Sequence, residues 1–213
     1  MQPIVPPEIE AYCTAHSSAP SALLVELQAY TTRNCADAQM LIGPLEAAFL
    51  QMLVRLSGAR RVLEVGTFTG YSALAMAEAL PADGTLLTCE IDPDRAAIAR
   101  RFFERSPHGR RIELRLGAAR ETLRGLPPDD RFDMAFIDAD KEGYLEYYDA
   151  ILPRLSAGGL LVADNTLWSG DVLDPQRPSA RAVDAFNRHV REDDRVAHVL
   201  VPLRDGVMLV RKR

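Results

Sequence analysis

"RVLEVGTFTGYSALAMAEALPADGTLLTCEID", residues 61–92, is the stretch on which the reading of this chain turns. It opens with a short apolar run, Arg61–Val65, passes a turn holding Gly66 and Gly70, continues into a longer run from Tyr71, and closes on a second short run, Thr85–Glu90. Short apolar runs bounded by glycine predict strands, and the longer one predicts a helix. Strand, crossover helix and strand together make a βα unit, whose two strands lie parallel.

The same alternation continues downstream. "RIELRL" (111–116), "FDMAFID" (132–138) and "GLLVAD" (159–164) read as further strands, with helices beginning near Pro93, Ala118, Gly143 and Pro178. Strands this apolar belong to an α/β fold whose parallel sheet is covered on both faces. The pattern changes at the end, where "RVAHVLVPL" and "GVMLVRK" are separated only by "RD" and predict a terminal antiparallel hairpin. Upstream, "PPEIEAYCTAH", "PSALLVELQAY" and "PLEAAFLQMLVRLSG" carry apolar residues at helical spacing, with Pro at their starts and Gly58 after the last. The expectation is one domain over 1–213, a helical lead-in at 1–58 and the α/β core at 59–213.

Composition agrees with this plan. A chain of 213 residues with 47% hydrophobic content is large enough for one well-buried core. No run of eighteen uninterrupted apolar residues occurs, and "MQPIVPPEIEAYC" lacks the basic and apolar regions of a secretory signal, so a soluble, cytoplasmic protein without a membrane partner is expected. Cys13, Cys35 and Cys89 are few, odd in number and widely spaced, which points to idle or buried thiols. A net charge of −5 disfavours a dedicated nucleic-acid binder.

Carboxylates gather where strands end. Glu64 lies in the first strand, Glu90 ends the second, Asp138 and Asp140 follow the fourth, and Asp164 ends the fifth. In an open parallel sheet, ligands bind outside the carboxyl ends of the strands. Desolvating unpartnered carboxylates there is expensive, so a cation or a donor-rich ligand is implied. The turn "EVGTFTG" is not the dinucleotide fingerprint, because Phe68 fills a position that pattern reserves for glycine. With Glu90 placed to accept ribose hydroxyls, the turn suits an adenosyl group without a pyrophosphate. The plainer alternative is that Gly66 and Gly70 serve only strand-to-helix packing.

These residues carry a family resemblance. "EVGTFTGYSALAMAEALPADGTLLTCEID", "FIDADKEGYLEYYD", "LVADNTLWSGDV" and "PLRDGVMLVRK" resemble, in order, the cation-dependent O-methyltransferases related to caffeoyl-coenzyme A O-methyltransferase and catechol O-methyltransferase. The resemblance runs from about Met40 to the end and is looser before it. It implies a Rossmann-like class I methyltransferase fold, a mostly parallel seven-stranded sheet, S-adenosylmethionine as methyl donor and a homodimer. It further implies metal ligation by Asp138, Asp164 and Asn165. Two carboxylates and an amide oxygen are hard donors suited to Mg²⁺, with Mn²⁺ or Ca²⁺ also accommodated. For the cosubstrate it implies contacts from Glu64, Gly66, Thr67, Ser72, Glu90, Ala119, Asp138 and Asp140, with Asp138 also in the catalytic set. Ile42 stands where relatives often have threonine, leaving only a backbone contact, and Ser169 stands where plant relatives carry asparagine toward the substrate.

The acceptor implied is a vicinal aromatic diol gripped by the metal. Only Lys141 and Lys212 are lysines among 25 basic residues. Lys141 is therefore read as the proton acceptor, since an ammonium can give up its proton where a guanidinium effectively does not. The competing reading is a surface ion pair with Asp138 or Asp140. Trp168 is placed either in the acceptor pocket or in packing of its own loop, while Tyr144, Tyr147 and Tyr148 are assigned to the core or a dimer contact. Two other functions stay open: methylation of a hydroxylated uridine in tRNA, with Arg95, Arg100, Arg101, Arg105, Arg110, Arg111 and Arg115 as a phosphate-binding face, and a non-catalytic adenosyl-binding role.

Overall fold

A computed structural model describes residues 4–213. Three helices lead in: α1 (Pro7–Ala15), α2 (Ala22–Asn34) and α3 (Gly43–Ser57). Ser21 caps α2 by accepting from Leu24 N, and Gly58 ends α3 in the left-handed conformation that glycine adopts without strain. Strands and helices then alternate as β1 (Arg61–Val65), α4 (Tyr71–Ala79), β2 (Thr85–Glu90), α5 (Pro93–Arg105), β3 (Ile112–Leu116), α6 (Ala119–Gly125), β4 (Phe132–Ile137), α7 (Tyr144–Ile151), β5 (Leu155–Ala163) and α8 (Pro178–Glu192). The chain finishes with β6 (Val196–Val201) and β7 (Val207–Lys212).

The seven strands form one sheet in the order β3-β2-β1-β4-β5-β7-β6. All pairs from β3 to β5 are parallel, and β5–β7 and β7–β6 are antiparallel. The hairpin differs from its sequence reading in one respect: β6 stops at Val201 and β7 starts at Val207, so Pro202–Gly206 form the loop. The five-residue loop takes positive φ at Arg204 and Gly206 and is held by hydrogen bonds to Thr166 and Leu167. β5 also begins earlier than expected, and its register against β4 shifts between Phe132 and Met134. Gly158, with φ +75°, accommodates that irregularity.

β4 shows why the central strands are apolar without alternation. Met134 and Phe136 enter the core shared with α3, α4 and α5, whereas Ala135 and Ile137 enter the core shared with α7 and α8. Both faces are buried, so every position needs an apolar side chain. The lead-in extends the first of these cores, with Leu24, Leu27, Ala47, Leu50 and Val54 packed against Leu74 and its neighbours. Ala38–Ser57, twenty residues containing an eighteen-residue window of mean hydropathy 1.3, is long and apolar enough by length and composition to cross a membrane, although no uninterrupted apolar run of that length occurs in it. Here it is broken at Leu41–Ile42, and α3 turns one face onto α4.

Candidate active site

The strand tips are tied into one row by backbone hydrogen bonds that continue past the sheet. Gly66 N and Thr67 N donate to Cys89 O, Asp138 N donates to Val65 O at 2.9 Å, and Asp164 N donates to Ile137 O at 3.0 Å. The opening charged residues of the "DAD" and "DN" turns therefore sit one residue beyond the last paired position. A cleft of about 940 Å³ lies over this row. Sheet order sets its two ends, with the turns after β1, β2 and β3 on one side and those after β4, β5 and β6 on the other.

At the first end, Gly66, Thr67, Ser72, Glu90 and Ala119 all line the cleft, as the sequence predicts. Each glycine has a physical reason that is internal to the protein. A Cβ on Gly66 would lie 2.0 Å from Asp138 O, and one on Gly70 would lie 2.7 Å from the Phe103 ring. The packing alternative is thus satisfied for both, and the backbone approach at Gly66 is to the Asp138–Ala139 turn. Glu90 braces the turn: Oε2 accepts from Phe68 N at 2.6 Å, and Oε1 accepts from Ile91 N and Asp92 N, each at 2.9 Å. Burial raises its pKa against the pull of these backbone donors. Phe68 has φ +50° and lies under the Arg95 guanidinium, 5.3 Å from ring centroid to Cζ.

Glu64 is still inside β1, paired in register with Thr88 and Phe136, and is fully buried, with the cleft-lining Ser72 beside its carboxyl. Thr88 Oγ1 donates to its Oε2 at 2.5 Å, and burial pushes its pKa up to about 8. Ile42 does line the cleft, and its carbonyl accepts from Arg204. Asp140 lines it too, with Oδ1 accepting from Tyr147 OH at 2.5 Å and Oδ2 paired with Arg120 at 3.2 Å.

At the second end, Asp138, Lys141, Asp164, Asn165 and Trp168 converge. Asp164 is 2% exposed, and burial together with the charge of Asp138 pushes its pKa up to about 7. Its Oδ1 accepts from Asn165 N at 2.6 Å and its Oδ2 from Asn165 Nδ2 at 3.0 Å. A half-turn of that amide presents its oxygen in the same place. Asn165 has φ +55°, a conformation that asparagine tolerates better than most residues. Two mutually repelling carboxylates beside an amide fit a hard divalent ion, which would relieve both the repulsion and the burial. Among the described residues no three carboxylate, imidazole or thiolate side chains form a metal-holding group.

Lys141 is buried, not at the surface as the ion-pair reading has it, although it does pair with Asp138. Its Nζ donates to Asp138 Oδ1 at 3.1 Å and to Tyr144 Oη at 2.6 Å, and it lies 5.5 Å from the Trp168 ring centroid. Tyr144 OH donates to Asp164 O at 2.9 Å, so this tyrosine, read from sequence as core or a dimer contact, ties Lys141 to the turn after β5. Burial and the surrounding carboxylates raise the Tyr144 pKa well above its usual value, which keeps it a neutral donor. Trp168 lines the cleft and also donates to Ser179 Oγ, at the start of α8, at 3.1 Å.

Ser169, with φ +57°, donates its backbone N to Asp205 Oδ1 and is not among the residues that line the cleft. Ser179, Arg204 and Asp205 line the wall beside Trp168. None was singled out from sequence, since "RD" reads as a turn and Ser179 as the start of a helix. The arginines that a phosphate-binding face would draw on are largely engaged within the chain. Arg95 pairs with Asp37, Arg105 with Glu26 and Arg115 with Glu113, while Arg111 donates to Leu80 O and Arg101 stacks on Tyr30.

A family profile described as O-methyltransferase matches residues 14–213. The chain belongs to the O-methyltransferase family. This O-methyltransferase is 39% identical over 179 residues to caffeoyl-CoA O-methyltransferase 2 of Zea mays, covering 78% of the chain and 68% of that protein. It is 31% identical over 207 residues to a probable caffeoyl-CoA O-methyltransferase 1 of Dictyostelium discoideum, covering 94% and 90%. The crystal structure of the SAH-bound Podospora anserina methyltransferase PaMTH1 superimposes with a TM-score of 0.90 at 31% identity, covering 97% of the O-methyltransferase and 94% of that chain. The seven-stranded sheet with its terminal hairpin is accordingly the class I methyltransferase fold.

Proposed function

We propose that this O-methyltransferase moves the methyl group of S-adenosylmethionine to one hydroxyl of a catechol-type small aromatic diol, with the help of a divalent cation, Mg²⁺ by preference. The observation that carries the reading is the convergence of Asp138, Asp164 and Asn165 with the buried Lys141 at one end of the cleft that Gly66, Ser72, Glu90 and Ala119 line at the other. The S-adenosylhomocysteine bound to the Podospora relative supports the adenosyl assignment. Engagement of the arginines within the chain favours a small acceptor over tRNA.

Asp138, Asp164 and Asn165 would hold the cation, which when bound supplies acidification and fixed placement of a neighbouring catechol hydroxyl. Lys141 is the group that takes the phenolic proton. The phenolate oxygen then forms a bond to the methyl carbon as the carbon–sulfur bond breaks, and the electron pair stays on sulfur. The products are a methyl ether and S-adenosylhomocysteine. A positive and a negative charge disappear together, so a dry site favours the step. Burial of Lys141 and Asp164 and the cover of Trp168 serve that exclusion of water. Methyl transfer is measured over a panel of catechols and a hydroxyuridine RNA, with chelator and Mg²⁺ add-back. Catechol turnover that survives chelation unchanged would defeat the metal-assisted reading.

A further inference from the structure

Arg204 has no part in the chemistry above, yet its side chain enters the same cleft. Its backbone is left-handed, with φ +49°, a region that long side chains seldom adopt. Strain of this kind persists where surrounding contacts over-determine it. Those contacts are specific. Nη1 donates to Glu46 Oε2 at 2.7 Å and to the Ile42 carbonyl, and Nη2 donates to the Leu41 carbonyl at 3.3 Å. Glu46 is 1% exposed, and its Oε1 has no hydrogen-bond partner among the described residues, so Arg204 compensates a carboxylate that is otherwise poorly satisfied.

The loop that carries Arg204 is fastened on its other side to the segment after the metal turn. Thr166 N donates to Gly206 O and Leu167 N to Asp205 O, each at 2.9 Å, and Ser169 N donates to Asp205 Oδ1. Arg204 therefore joins two walls of one cleft: the strap Met40–Ile42 and the loop that follows Asn165.

We propose that Arg204 is a positioning residue that locks this strap to the loop after Asn165, so that the cosubstrate and the acceptor are held in one register. The proposal rests on the reading of the cleft given above. Arg204→Gly removes the guanidinium while suiting the left-handed backbone, and Arg204→Lys keeps a cation without the planar fork. Amide hydrogen exchange is measured at residues 38–43 in the ligand-free protein. S-adenosylhomocysteine affinity is measured by calorimetry without added metal, with melting temperature as the check on folding.

In Arg204→Gly, exchange over the strap rises and S-adenosylhomocysteine affinity falls, each by about tenfold. Exchange in β1 and β4 stays as in the parent, and Arg204→Lys lies between the two. Unchanged strap exchange and affinity in a folded Arg204→Gly protein overturns the proposal. A uniform rise in exchange over the whole sheet overturns it as well, since Arg204 would then be merely structural. Failure of the parent protein to bind S-adenosylhomocysteine would instead overturn the reading of the cleft, and strap exchange would still decide the role of Arg204.

Discussion

Lys141 lies between Asp138 Oδ1 and Tyr144 Oη, over the Trp168 ring and almost out of contact with water. Lys141→Arg preserves a positive charge there but supplies a group that cannot act as a base. Turnover is expected to fall by about 100-fold or more, with S-adenosylhomocysteine affinity unchanged; equal losses in turnover and affinity would make Lys141 a binding residue. Asp164→Asn keeps the shape of the side chain and removes its charge. It is expected to raise the Mg²⁺ concentration needed for half-maximal activity by about tenfold or more, read from a metal titration of initial rates. The acids of "DADK" and "DN" were legible as strand-end residues, because the end of an apolar strand is a local feature of sequence. The full burial of Glu64 and the left-handed backbone of Ser169 were not, since both depend on packing partners distant in the chain.

The Pro202–Gly206 loop and the turn after β5 act as one element. A Cβ on Gly206 would lie 2.4 Å from Leu167 Cγ and 2.8 Å from Leu167 N, in a backbone with φ +87°. Gly206→Ala is therefore expected to destabilise the protein by about 1–3 kcal/mol and to weaken metal activation together, through displacement of Thr166 and Leu167. Chemical denaturation and a metal titration on the same variant test the linkage; loss of stability with normal activation would separate the loop from the site. The hairpin itself was readable from two apolar runs near the end of the chain. Its loop was not, because Arg204 is drawn out of a tight turn by Glu46 and the strap, residues more than a hundred positions away in the chain.

Across the whole molecule, the sheet's carboxyl edge carries buried acids whose charged forms folding disfavours in the metal-free state. The pKa of Asp164 is raised to about 7 and that of Glu64 to about 8, in both cases chiefly by burial. A raised carboxyl pKa adds stability that is fully present below the ordinary carboxylate range and is lost as pH rises through the folded value. The metal-free protein is thus expected to melt at lower temperature as pH climbs from about 5 to about 8. Mg²⁺ should reverse part of the loss, through the Asp138–Asp164–Asn165 end. Scanning calorimetry with chelator and with Mg²⁺ checks both signs, and a melting temperature that rises with pH in chelator would contradict them. The sequence by itself determined the alternating βα order, the covered parallel sheet and the row of acids at its strand ends, because periodicity and strand-end composition are local properties. Only the tertiary structure decided which of those acids face the cleft and that β7 inserts between β5 and β6. It also decided that one arginine from the terminal loop spans to the lead-in, because each of these depends on partners that chain proximity does not supply.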